Sequence, residues 1–173
     1  MLKMNINHNN SFEEKQRFRQ WWIWGFVLLP LTIALNGCYQ QLWLGIPMGT
    51  KPMSNTGLMV FTLFGIGFAL FFCINQLKTR IDSEGIHVHF FPYTKRNIAW
   101  GEVDQCQVIS YGFVGGWGVR LWTQYGTVYN VKSGKGLYVQ LKNKEQFLVG
   151  TQKAEELERF ITALNPLSQV VAE

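Results

Sequence analysis

The chain has 173 residues, with sixteen Lys and Arg against eleven Asp and Glu and a net charge of +5, which is length enough for one ordinary domain and a little more. Its mean hydropathy of +0.01 averages two unlike halves: five basic and two acidic residues lie before Lys78, eleven and nine from Lys78 onward. Neither half carries the dense basic face of a nucleic-acid binder, and three scattered cysteines, Cys38, Cys73 and Cys106, make neither a disulfide framework nor a zinc spacing.

Residues 1–10 are polar and Asn-rich, with nothing to bury, so a disordered tail is expected. Ser11 and Glu14 have the S-x-x-E spacing of a capping box, which predicts a helix start and a helical hairpin over 11–77. Trp21 to Leu35, WWIWGFVLLPLTIAL, has only Thr32 polar. Continued to Trp43, the helix sets Trp22 and Trp43 about 32 Å apart, one at each bilayer interface, where indole rings settle. Pro30 is expected to kink it. Asn36, Gln40 and Gln41 fit either a hydrogen bond to a neighbouring helix or a shallow, wet position. A second reading of Leu35-Asn36-Gly37-Cys38 is a lipobox with a modifiable cysteine, although the asparagine and the long leading segment count against it.

Gly45 to Asn55 holds two prolines and two glycines, which mark a loop. Gly57 to Ile74 carries no charge and only Thr62 as a polar side chain; at 1.5 Å per residue it reaches roughly 27 Å, close to the hydrocarbon thickness of a bilayer. The expected spans are therefore 21–43 and 57–75. Gly65 and Ala69 form a small-x-x-x-small pair that suits close helix approach or is simply a permissive membrane glycine. Lys15, Arg17 and Arg19 precede the first span and Lys78 and Arg80 follow the second, while the loop has Lys51 alone. The positive-inside rule then places both termini in the cytoplasm. Four residues between Ile74 and a strand starting at Thr79 span at most about 14 Å, so the domain that follows is expected beside the headgroups, with those five basic residues as headgroup contacts.

From Thr79 the pattern changes. Ser83-Glu84-Gly85 is a turn signal, and Ile86, Val88 and Phe90 alternate with His87, His89 and Phe91 as in a strand with one face buried. Further strands are predicted near 96–100, 103–111, 117–124, 128–131, 136–142 and 146–150, separated by turn-forming residues. Thr151 caps a last helix with Ala154, Leu157, Phe160, Ile161 and Leu164 on one face, and Asn165-Pro166 ends it, leaving 165–173 as a tail. The predicted domain, 79–164, has seven or eight antiparallel strands closed by one amphipathic helix.

TRIDSEGIHV, NIAWGEVDQCQV, GGWGVR and YNVKSGKGLYVQLKNKEQFLVGTQKAEELERFI, read in order, resemble the bacterial pleckstrin-homology-like domain in the version fused to an N-terminal pair of membrane helices. The resemblance covers roughly Thr79 to Leu164. It implies an α+β membrane protein of a bacterial plasma membrane, with a bent antiparallel barrel capped by a C-terminal helix, no catalytic activity, and a role in protein or membrane association. No K-x-n-K/R-x-R run joins the first strands, so phosphoinositide binding is not carried over.

The remaining candidates for chemistry are weak. His87 and His89 leave one face of a strand and have only Cys106 as a further metal ligand, where a metal needs three or four. GFVGGWG and KSGKG lack the GxxxxGK[ST] spacing and lie between strands, which suits bends better than a phosphate loop. No catalytic residue, cofactor or metal is expected, nor a nucleic-acid or small-molecule partner. Trp117, Arg120 and Tyr129 fall on adjacent predicted strands and have the composition of an interface hot spot, the alternative being that the rings fill the core. The function expected is protein interaction or self-association, and the competing one is a sensor of anionic headgroups or phosphate in which the basic residues, with Lys132 or Lys135, read the ligand.

Overall fold

A computed structural model of the chain describes residues 11–164; the two tails expected at 1–10 and 165–173 lie outside them. The chain divides into two compact units, one made of residues 18–75 and the other of the segments on either side.

The first unit is a pair of apolar helices. α1 runs Trp21–Cys38 and continues as a π-helical turn, Tyr39–Trp43, and α2 runs Asn55–Ile74. Both are long and apolar enough to cross a membrane. Most of their large side chains, Phe26, Leu29, Leu63 and Phe64 among them, are exposed, whereas a helix that is apolar all round is ordinarily buried. Ile23, Val27, Ala34 and Gly37 of α1 and Leu58 and Thr62 of α2 are buried. Polar groups along this seam are satisfied: Thr62 Oγ1 donates to Leu58 O at 2.8 Å and lies 3.2 Å from Cys38 Sγ. Gln41 Nε2 donates to Met53 O and Asn55 Oδ1, both at 2.7 Å, so the amide ties the loop to the second helix. Ser54, whose side chain accepts from Gly57 N, caps α2.

The second unit is β-rich, and it starts earlier than the sequence suggests. The segment expected to open a helix at Ser11 is instead a strand, β1, Phe12–Arg17. Its buried positions alternate with exposed ones, which is the period of a strand. β2 (Gln76–Ile81), β3 (Gly85–Phe91) and β4 (Thr94–Ala99) follow the helices, and β1-β2-β3-β4 form one antiparallel sheet. After a short turn at Trp100–Glu102 come β5 (Val103–Tyr111), β6 (Gly118–Thr123), β7 (Gly126–Asn130), β8 (Gly134–Leu141) and β9 (Gln146–Thr151), in a second sheet of order β5-β8-β9-β7-β6. β7 and β9 pair in parallel, so the expectation of antiparallel pairing throughout does not hold. The strands hydrogen-bond as two sheets; no ladder closes them into a barrel among the described residues.

The core is what alternation selects. Leu77, Ile81, Ile86, Val88, Phe90 and Ile98 from the first sheet and Leu137, Val139, Phe147 and Val149 from the second are buried. Tyr111, Val128 and Leu148 form a further cluster, with Val114, Tyr125 and Tyr138 packed on it, on the face of the second sheet opposite Phe147 by strand alternation. Between the sheets Arg96 stands 4.8 Å over the Phe147 ring and pairs with Glu145 at 2.8 Å. α3, Ala154–Leu164, buries Leu157 and Ile161, and its Phe160 ring lies 6.2 Å from Phe12 of β1.

Candidate functional site

The three residues singled out as a partner contact do not form one surface: Arg120 and Trp117 share a hydrogen bond, while Tyr129 is buried. Tyr129 of β7 is only 5% exposed, a core residue and not a surface one. Arg120 of β6 turns back on its own loop, where Nη2 donates to Trp117 O at 3.1 Å. A Cβ at Gly116, which has φ +131°, would collide with that guanidinium, so the glycine is what lets the arginine brace the loop. Trp117 is half-buried, its ring 6.0 Å from that of Phe113.

The exposed apolar surface is one step along the same strand. The β6–β7 ladder loses register between Arg120 and Thr123, and the two residues in the bulge, Leu121 and Trp122, are 53% and 95% exposed. Trp122 has φ +56°, a conformation a bulky side chain adopts only at a cost. The turn beyond is held by Thr123, whose Oγ1 donates to Gly126 O at 2.8 Å and accepts from Tyr125 N. Phe113, in the β5–β6 loop at the other end of β6, is 71% exposed. Sequence reasoning missed Phe113, which lies in a loop where alternation says nothing, and Leu121 and Trp122, because alternation sends one of two adjacent apolar residues inward. Only the bulge turns both out.

The basic residues are distributed over β1, β2 and the connection between β1 and α1. Lys15, Arg17, Arg19, Lys78 and Arg80 are all exposed. Arg80 is paired, at 3.5 Å with Glu13 and 3.0 Å with Asp82. Lys15 lies directly across the ladder from Lys78; Arg17, partial desolvation and Lys78, in that order, hold its ammonium below the usual lysine pKa.

The metal and nucleophile candidates have other employment. Cys106 lies on β5 in the other sheet from His87 and His89, and although its residue surface is only partly covered, the protein around it pushes the thiol up to about 12. Among the described residues the donors that converge are Asp82, Glu84 and His87, within 4.8 Å of one another. Asp82 is already committed, accepting from Glu84 N at 3.0 Å, Gly85 N at 3.3 Å and Arg80 Nε at 3.0 Å. Burial alone would raise its carboxyl, but those donors and the nearby His87 hold it below the usual range. This is a turn, built by an aspartate that caps its own backbone. The open groove along α3 is lined by Phe12, Lys135, Lys153, Glu155, Glu156 and Arg159, and its charges pair with each other, Lys153 with Glu156 and Arg159 with Glu155. The glycine-rich segments connect β5 to β6 and β7 to β8, with no helix after either.

The chain matches no family model, no curated protein and no solved structure.

Proposed function

We propose that the chain is a two-span protein of a bacterial plasma membrane, with both termini in the cytoplasm, whose β unit is a non-catalytic module that binds a protein partner or a second copy of itself. The observation that carries this reading is the Leu121-Trp122 bulge on β6, the open edge of its sheet. A tryptophan 95% exposed in a strained backbone conformation packs against nothing that rewards the strain, and such a ring beside a sheet edge is a ready anchor for a partner. The exposed apolar helices and the basic residues on their outer flanks support the membrane assignment and its orientation. A relation to the pleckstrin-homology-like domain is part of the proposal: an antiparallel meander first and an amphipathic helix last favour it, and the parallel β7–β9 pair and the two separate sheets depart from it.

Two measurements test the reading. The full-length protein stays in the membrane pellet after alkaline carbonate; its appearance in the supernatant overturns the anchor. A photoreactive phenylalanine analogue at position 122, activated in intact cells, yields a discrete protein adduct, of twice the chain mass for self-association. Adducts to lipid alone, or none, overturn the module.

A further inference from the structure

The four strands of the first sheet place one row of side chains straight across its outward face: Lys15, Lys78, His89 and Lys95, each the register partner of the next. At the spacing of neighbouring strands the row runs about 14 Å. The adjacent row, toward the end where the chain leaves for α1 and returns from α2, holds Arg17, Gln76 and Phe91, and exposed Pro92 and Tyr93 form the turn beyond it. The acids sit at the opposite end, where Glu13 and Asp82 serve Arg80, and Asp82 also lies 3.4 Å from His87. No acidic partner stands beside Lys15, Arg17, Lys78 or Lys95 among the described residues.

Like charges directly across a ladder oppose its formation. A sheet that keeps Lys15 against Lys78, with Arg17 and Lys95 close by and every nearby carboxylate turned to the other end, is arranged for an anion that the chain does not supply. The connectivity says which one. Arg17 lies four positions before the start of α1 and Lys78 four positions after the end of α2, with Arg19 between. Phe91 and Tyr93 mark the same end of the sheet as both junctions, and aromatic side chains at such a level are the usual mark of a membrane interface.

We propose that this end of the outward face docks on the anionic headgroups of the leaflet that α1 and α2 enter, Phe91 and Tyr93 settling at the interface and Lys15, Lys78 and Lys95 reaching phosphates one row, roughly 7 Å, further out. The inference rests on the two-span reading. It adds Lys95 and the aromatic turn to the basic residues flanking the spans, and it makes the docking a property of one sheet face.

The test is amine acetylation of the full chain in lipid nanodiscs, read residue by residue by mass spectrometry. In discs of phosphatidylcholine mixed with phosphatidylglycerol, Lys15, Lys78 and Lys95 are modified roughly fivefold more slowly than in phosphatidylcholine alone. Lys142 and Lys144, exposed at the turn between β8 and β9, keep the same rate in both, and high salt abolishes the difference. Equal rates for the three lysines in the two lipids overturn the proposal. Protection by soluble heparin on phosphatidylcholine discs, with none from phosphatidylglycerol, also overturns it, in favour of a soluble polyanion. A chain that does not incorporate into discs overturns the two-span reading and this proposal with it, whereas incorporation without protection overturns this proposal alone.

Discussion

Glu14 of β1 and Thr151 of β9, the first and last strands of the β unit in chain order, share a hydrogen bond of 2.6 Å: the Thr151 hydroxyl donates to one carboxylate oxygen of Glu14 while the backbone N–H of Gln152 donates to the other at 2.8 Å. Gln16 adds a bond from Nε2 to Gly150 O at 2.6 Å. β1 precedes both apolar helices in the chain, yet it is fastened to the last strand, so the helical pair is an insertion between two neighbouring strands of one sheet. Arg17 and Gln76, the residues that flank it, are register partners.

The Glu14 carboxylate is buried, and removing it strands a hydroxyl and a backbone amide. Glu14→Ala is therefore expected to cost about 2–3 kcal/mol, a drop of roughly 10 °C in the thermal unfolding of the detergent-solubilised chain. Glu13→Ala, on the exposed face of the same strand, is expected to leave the midpoint almost unchanged. Equal effects from the two would mean that β1 is not held through Glu14.

Lys15→Gln is expected to act in the other direction. Its folded-state pKa is lowered, mainly by Arg17, so between that value and the unfolded one the unfolded chain binds more protons and stability rises with pH. Below this window the charged Lys15 opposes folding in full. Neutralising it raises the unfolding midpoint slightly at neutral pH in uncharged detergent, and the gain shrinks as the pH climbs toward 10.5, the ordinary lysine value. A fall in the midpoint at pH 7 would show that Lys15 has a stabilising partner, and the case for an external anion would fail.

These two residues also show what the sequence could disclose. The apolar helices were legible because eighteen residues without a charge have few other uses, and most later strands because Ile86, Val88 and Phe90 alternate with polar neighbours. β1 was not legible. Two of its three buried positions are Glu14 and Gln16, polar residues whose burial depends on partners more than 130 positions away, and the accidental S-x-x-E spacing pointed to a helix. Distance to the spans picks out the basic residues, but their assembly into a row needs the register, which also brings in Lys95. Trp122 was beyond reach because its exposure depends on where the β6 ladder slips, whereas the core position of Tyr129 is the alternative that the sequence left open.

Trp122→Gly separates stability from association. Glycine adopts φ +56° without the side-chain clash, which relieves roughly 1–2 kcal/mol, and the ring it removes is exposed, so the unfolding midpoint is expected to rise or hold. Association, read as crosslinking from a photoreactive group placed at Phe113, is expected to fall. A variant that loses stability would mean the indole packs within the β unit, and one that keeps full crosslinking would mean the bulge is not the contact.

The helical pair offers a test in which one helix carries its own control. A Cβ built on Gly65 comes 3.2 Å from Leu31 Cδ1 of α1, while one on Gly67 meets nothing within 4 Å. Gly65→Leu therefore forces a branched side chain into the seam, an overpacking that costs about 1–3 kcal/mol, and Gly67→Leu adds an apolar side chain to a surface that is already apolar. The seam also shields Cys38, partly buried beside Thr62, whereas Cys73 is exposed. In detergent, Gly65→Leu is expected to raise the maleimide labelling rate of Cys38 relative to Cys73, and Gly67→Leu to leave the ratio at its starting value. If both substitutions raised it alike, the effect would come from leucine in the helix as such, and the approach of α2 to α1 at Gly65 would not be what holds the pair together.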